Sequence, residues 1–276
     1  MNEKLLNNNL KLEILISTMF RVSLDFLETM FPFQELSDLN ILIINQTEKG
    51  KELRPGLPNI RVINSYEKGI SKSRNLAIKN AIGDICLIAD DDVEYVPNFE
   101  NIVKNAFTKF HKASIVLFKI KTFSGKSYKF YPTVSKRMCC KKEVKTTSSI
   151  EIAFQREDIQ EKFYFNTNFG LGSQFDSGEE YVFLKEVLHQ SKEVYFENQT
   201  IVKHKERPTS YIGSDNFIKV QAVLYYQDYK ELSYLYLFKF VLFLLRKGII
   251  SMGELVDKFR VGLVAVINYK KKRKET

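Results

Sequence analysis

Apolar residues in the first third of the chain fall into short, nearly unbroken runs at Leu12–Ser17, Asn40–Asn45, Ile60–Asn64 and Ile85–Ala89. Runs of this length, bounded by turn residues, predict buried strands. Two stretches between them have a helical period instead. Phe20–Phe31 spaces Val22, Leu24, Phe26, Leu27, Met30 and Phe31 along an amphipathic helix, and Ser71–Ala81 turns Leu76, Ala77 and Ile78 inward. Glu48–Pro58, with Gly50, Pro55, Gly56 and Pro58, is a loop. Further strands are predicted at Ser114–Ile120, Ser149–Phe154, Val194–Phe196 and near Ile201–His204, with a helix over Glu179–Gln190. Residues 1–10 are polar and Asn-rich, a frayed arm or a short helix. Buried strands alternating with helices predict an α/β domain with a mostly parallel sheet covered on both faces. Beyond Pro208 the pattern is wholly helical. The organisation expected is a domain over 1–207 and a helical extension over 208–276.

The strand Ile85–Ala89 runs straight into Asp90, Asp91 and Asp92. Adjacent carboxylates repel, and a strand end that gathers three of them calls for a counter-ion. Mg²⁺ is held by one or two carboxylates together with phosphate oxygens and water. Ligands of open α/β sheets sit beyond the carboxyl ends of the strands. The acids therefore mark a dock for a metal–diphosphate, set against the plainer reading of a solvated loop capping the next helix.

Gly69, Arg74-Asn75, Ala81-Ile82-Gly83-Asp84 and Asp90-Asp91-Asp92 occur in an order and spacing that resembles the family 2 glycosyltransferases. The likeness is specific over residues 60–97, looser over 11–48 and 148–207, and absent from the last 70 or so residues. It implies a GT-A-like, Rossmann-like fold and transfer of a sugar, with inversion, from a nucleotide diphosphate-sugar, preferably UDP-linked. The acceptor implied is a glycan or a lipid-linked hydroxyl in surface polysaccharide assembly. Mapped by resemblance, Asp92 is the main ligand of Mg²⁺ or Mn²⁺ and Asp91 faces the ribose or the metal. Asp90 occupies a more variable place. The metal would act as a Lewis acid on the leaving diphosphate. Arg74 would position the nucleotide through its forked guanidinium; a structural ion pair with Asp84 or Asp90 is compatible with that role.

By the same resemblance Ser17 and Thr18, at the end of the first strand, contact the nucleotide. The second strand ends in Asn45-Gln46 where relatives carry acids; an amide can pair with a uracil edge, since it both donates and accepts. Phe169-Gly-Leu-Gly172 and Gly178-Glu179-Glu180 resemble an acceptor loop followed by the helix that bears the catalytic carboxylate. Glu180 falls on the base position, which relatives fill with Asp. The extra methylene adds about 1.5 Å of reach, and Glu179 stays open as the alternative. Acids complementing a helix N-terminus are the plainer account of this pair. His204 is a candidate metal or diphosphate ligand, with Lys203, Lys205 and Arg207 adding positive charge. His111 and His189 receive no role.

Hydrophobic content of 44% supports a sizeable core, and a net charge of +9 points to an anionic partner. No nucleic-acid-binding signature is present, so nucleic acid is not expected. Three cysteines, two of them adjacent at Cys139-Cys140, make neither a disulfide framework nor a zinc pattern. With no signal-peptide pattern at the start of the chain, a cytoplasmic location is expected. Ser233–Leu245 is apolar on nearly every side except Lys239, and Arg246, Lys247 and the basic run Lys270–Lys274 follow it. That pattern is too short to span a bilayer and reads as an interfacial helix on the inner face of an anionic membrane. Packing on the protein or in a homodimer is the competing account. Two other function classes stay open: a nucleotidyltransferase and a non-catalytic scaffold that keeps the fold.

Overall fold

The computed structural model describes residues 10–206 and 209–275. Residues 1–9 of the N-terminal arm and Arg207 lie outside the described residues. The chain divides into two compact units. One comprises the described residues up to Thr167 together with Glu179–Glu206. The other comprises Asn168–Gly178 and the described residues from Thr209 onward. The division is thus not contiguous: the loop Asn168–Gly178 belongs with the C-terminal helices rather than with the N-terminal domain that surrounds it in sequence.

The first unit is built on a mixed sheet. Its strands are β1 (Leu12–Met19), β2 (Ile41–Gln46), β3 (Ile60–Ser65), β4 (Ile85–Asp90), β5 (Glu94–Tyr95), β6 (Ile115–Thr122), β7 (Lys136–Met138), β8 (Ile152–Gln155) and β9 (Val194–His204). Their order is β3-β2-β1-β4-β8-β6-β9-β5, with β7 also on β9. The parallel character predicted from sequence holds for β3-β2-β1-β4 and for β6-β9. β8 runs antiparallel between β4 and β6, and β5 and β7 run antiparallel to β9. The helices are α1 (Phe26–Met30), α2 (Ile70–Asn80), α3 (Phe99–Lys109), the single turn α4 (Arg156–Ile159) and α5 (Glu179–His189).

β1, β2 and β4 are buried along almost their whole length, which is why their sequences are continuous apolar runs. Glu13 is the exception on β1. Its carboxylate is buried, accepts from Arg61 Nη2 at 2.6 Å, and accepts from the backbone N–H groups of Ile82 (2.6 Å) and Gly83 (2.9 Å). Gly83 is required there, because a Cβ would sit 2.6 Å from Glu13 Cβ. Asp84 accepts from the backbone N–H of Lys11 at 2.9 Å. Ala81–Asp84 therefore fastens the start of β4 to the start of β1, at the opposite strand ends from the three acids.

Several elements differ from their sequence-based bounds. The helix predicted over Phe20–Phe31 is confined to α1, and Phe20 has a φ of 57°. The buried Asn45 explains this. Its Oδ1 accepts from Arg21 N (3.1 Å) and its Nδ2 donates to Arg21 O (3.0 Å), holding that backbone out of a helix. Val194–Phe196 and Ile201–His204 are parts of one strand, β9. Ser149–Glu151 is a tight helical turn that precedes β8. β7 falls in a basic segment without apolar alternation, so no pattern announced it.

In the second unit α6 (Asp215–Tyr229), α7 (Ser233–Arg246) and α8 (Leu255–Glu275) pack around Ile218, Ala222, Leu237, Val241, Leu244 and Val266. Gly262 permits the close approach of α8, since a Cβ would meet Leu237 Cδ2 at 2.6 Å. The loop Asn168–Gly178 is tied to α6 by Asn216 Nδ2, which donates to Asp176 Oδ2 at 2.6 Å. Among the described residues no helix is long and apolar enough to cross a membrane.

Candidate active site

Parallel register sets the site. Ser17 at the end of β1 lies beside Asp90 at the end of β4, and Thr18 lies beside Asn45 on β2. The three consecutive acids then diverge, and each meets a different cation.

Asp90 turns to Arg74 on α2. Arg74 is buried; its Nη2 donates to Asp90 Oδ1 at 3.0 Å and its Nη1 to Glu179 Oε1 at 2.8 Å, and Nη1 is 3.6 Å from Glu180 Oε1. One guanidinium thus holds three carboxylates from two segments about a hundred residues apart. Burial opposes the charge on Arg74, but Asp90, Glu180 and Glu179 outweigh it and raise its pKa above the ordinary value. Ser149 closes the cluster. Its Oγ donates to Asp90 Oδ2 (3.1 Å) and its backbone N–H to Glu180 Oε1 (3.2 Å). Asn75 acts beside Arg74 in the Arg-Asn pair. Its amide exchanges two hydrogen bonds with the backbone of Phe165, at 2.7 and 2.8 Å. Phe165 lies under the Arg74 guanidinium and stacks on Phe183 of α5. The pair therefore positions the start of α5, with Glu179 and Glu180 in its first turn.

Asp91 turns the other way. Its Oδ2 accepts from Thr18 Oγ1 (2.5 Å) and from Arg21 Nε (2.8 Å). Arg21 lies 4.9 Å over the Phe26 ring and keeps its side chain 41% exposed at the carboxyl ends of the strands. Asp92 faces β9, with Oδ1 3.3 Å from His204 Nε2. His204 Nδ1 lies 2.8 Å from Lys205 O, a place only an N–H can fill. The contact with His204 lowers the Asp92 pKa, and the same contact raises that of His204. Lys203, expected to add charge here, is matched by Glu94 at 2.6 Å.

The remaining sequence candidates make contacts within the sheet domain. Ser17 Oγ accepts from Ser73 Oγ (3.0 Å), and Gln46 Oε1 accepts from the Gly69 backbone N–H (2.7 Å). Both N–H groups of Asn45 are committed, to Arg21 O and to Asn64 Oδ1 (3.0 Å), and its Oδ1 accepts from Arg21 N.

Among the described residues no group of three or more His, Cys, Asp or Glu side chains is arranged to hold a metal. Asp91 does not join Asp92 and His204, contrary to the sequence expectation, because Thr18 and Arg21 engage it. The Asp92–His204 pair does fit as a two-ligand seat. Nδ1–H is bonded to a backbone carbonyl, so a cation that displaced the Nε2 proton would find the hydrogen-bonded arrangement typical of metal-bound imidazoles. Neighbouring corners of an octahedron with 2.1 Å bonds are ~3.0 Å apart, close to the separation seen.

The sequence profile of Glycosyl transferase family 2 matches residues 35–182, more than half of the chain. The chain belongs to this family. No curated protein sequence matches it. Among solved structures, S. aureus TarS 1–349 is similar with a TM-score of 0.55 and 14% identity, covering 93% of this chain and 81% of that one. The same fragment in complex with UDP-GlcNAc gives 0.53 at 14% identity, with the same coverage of both chains. Its complex with UDP gives 0.51 at 13% identity, covering 96% of this chain and 92% of that one. At this identity the likeness shows the fold.

This family 2 member carries two site residues that the sequence reading missed. Arg21 was hidden in a predicted helix, and Ser149 in a predicted strand; neither stands in a motif. The geometry also separates the two acids of α5. Glu179 is buried against Arg74, and its Oε2 has no hydrogen-bond partner among the described residues. Burial first, and then the neighbouring Glu180, push the Glu179 pKa up to about 7 against the pull of Arg74. A carboxyl raised from its unfolded value near 4.5 favours the folded state fully below that value. The contribution is lost as pH rises through about 7. Glu179→Gln is therefore expected to flatten the fall in stability between those pH values. Urea melts of both proteins at several pH values check this; parallel curves across the range would refute the assignment.

Proposed function

We propose that this protein transfers a sugar, with inversion, from a nucleotide diphosphate-sugar to a hydroxyl of a glycan or lipid-linked acceptor, as in surface-glycan assembly. The observation that carries the reading is the convergence, in a family 2 chain, of Glu180, Arg74 and the Asp92–His204 pair at the carboxyl ends of the strands. The UDP and UDP-GlcNAc complexes of TarS support a UDP-linked donor. In the reaction an acceptor oxygen attacks the anomeric carbon as the bond to the diphosphate oxygen breaks. Glu180 accepts the acceptor's proton. Arg74 and the Ser149 N–H hold that carboxylate in place. Arg21, exposed beside Asp91, offers guanidinium N–H groups to phosphate oxygens. Asp92 and His204 would hold Mg²⁺ or Mn²⁺, which supplies Lewis-acid neutralisation of the leaving diphosphate.

Calorimetric titration of UDP into wild type and Asp92→Asn, each with Mn²⁺ and with EDTA, tests both parts. Mn²⁺ is expected to tighten binding to wild type by tenfold or more, about 1.4 kcal/mol, and to leave the variant unchanged. Equal affinity in all four conditions would remove the metal from the proposal. Absence of any UDP binding would remove the uridine donor.

A further inference from the structure

α7 is apolar on two sides, and only one of them is buried. Leu237, Val241 and Leu244 are buried in the core of the C-terminal helices. On the opposite side Leu235, Phe238 and Phe243 stay 50%, 42% and 48% exposed. Phe238 meets the Phe259 ring of α8 edge-on at 5.8 Å, which joins this strip to the exposed Val256 of the same helix. A helix that is hydrophobic all round is ordinarily covered all round, and a continuous exposed apolar strip marks an interaction surface.

The charges on α7 itself have one sign. α7 contains no acid, and Lys239, Arg246 and the following Lys247 are exposed. Lys239 Nζ lies 5.9 Å from the Tyr236 ring and Lys247 Nζ 5.9 Å from the Phe243 ring, so the stems lie along aromatic surface and the ammonium groups reach its rim. Acids do occur on the adjoining segments: Asp257 lies 3.5 Å from Arg260, Glu231 2.8 Å from Lys270, and Glu254 accepts from Ser251.

We propose that the outer face of α7, with the adjoining edge of α8, docks flat on an anionic lipid bilayer. The aromatic and aliphatic side chains would enter the headgroup–acyl boundary, and the cations would meet lipid phosphates. α7 has 14 residues with Lys239 near its middle, too few to span the roughly 30 Å hydrocarbon core. A second copy of the chain fits the face less well. A twofold interface presents the same patch to itself, so it would bring together the cations of both copies of α7 and Lys247 with no acid on that helix to answer them. The proposal concerns a surface apart from the transfer chemistry and stands whichever donor is used.

Flotation of the full chain with phosphatidylglycerol–phosphatidylcholine vesicles, and with phosphatidylcholine alone, tests it at low and high salt. Binding is expected to the anionic vesicles, weakened by salt, with little to the neutral ones. Lys239→Gln with Lys247→Gln should weaken it about fivefold per cation removed. Leu235→Gln with Phe238→Gln should abolish it at any salt. All four side chains are exposed, and unchanged thermal melts confirm that the variants fold. A folded wild type that ignores anionic vesicles would overturn the proposal. So would binding indifferent to both pairs of substitutions. A lipid-free dimer in sedimentation velocity that Leu235→Gln with Phe238→Gln splits would also overturn it, and would assign the face to a second copy.

Discussion

Replacing Glu180 by glutamine is expected to slow sugar transfer by on the order of 10²- to 10⁴-fold, the worth of a positioned general base, while donor affinity is kept. The amide retains an oxygen to accept from the Ser149 N–H, so the first turn of α5 keeps its geometry. What it loses is the ability to take a proton. Glu180 is the better placed of the two acids because its side chain reaches solvent at 13% exposure, against 7% for Glu179. Glu179 instead accepts from the buried Arg74 and fixes the guanidinium that faces both acids. Single-turnover transfer rates, paired with calorimetric titration of the donor, separate the two roles. A silent Glu180→Gln alongside a crippled Glu179→Gln would reverse them.

The legible parts of this molecule were those with a local cause. β1, β2 and β4 stood out because central parallel strands are buried on both faces and must be apolar throughout. The strand-end acids, Arg74 and Glu179-Glu180 stood out through motif spacing, and His204 through its place at the end of β9. The pairing among them was not legible. Arg74 and Glu179 are 105 positions apart, and the register that unites Ser17 with Asp90 is a property of the sheet. Nor could sequence say that Asp90, Asp91 and Asp92 point to three different partners. Arg21 was missed for a physical reason. The apolar spacing of Phe20–Phe31 favoured a helix, but a buried amide 24 residues away, on Asn45, captured that backbone first. Ala81–Asp84 shows the converse. It was read as one of the motifs that carry the family resemblance, and it works at the far ends of the strands, where Gly83 admits the Glu13 carboxylate.

Arg74→Met is expected to cost about 3–5 kcal/mol of folding stability, the usual result of removing one partner from a buried ion pair. That is a large share of the roughly 5–15 kcal/mol available to a natural domain. The loss should depend on pH. Without the guanidinium, Asp90, Glu179 and Glu180 face one another with only hydroxyl and backbone donors between them. The Glu179 carboxyl, already raised, loses the Arg74 pull that held it down, so the folded variant binds more protons than the unfolded chain. Its stability falls as pH rises. The gap to wild type should accordingly be widest above pH 7, where Glu179 is ionised, and should narrow on acidification toward pH 5. Arg74→Lys should recover only part of the loss, because an ammonium lacks the planar fork that serves Glu179 and Asp90 at once. Adding Glu179→Gln to Arg74→Met should recover stability beyond the sum of the two single effects, since each change removes what makes the other harmful. Urea melts at several pH values report all three comparisons. A gap independent of pH, together with additive single and double variants, would mean that the carboxylates hold their places without Arg74. The guanidinium would then be free to act on the donor alone.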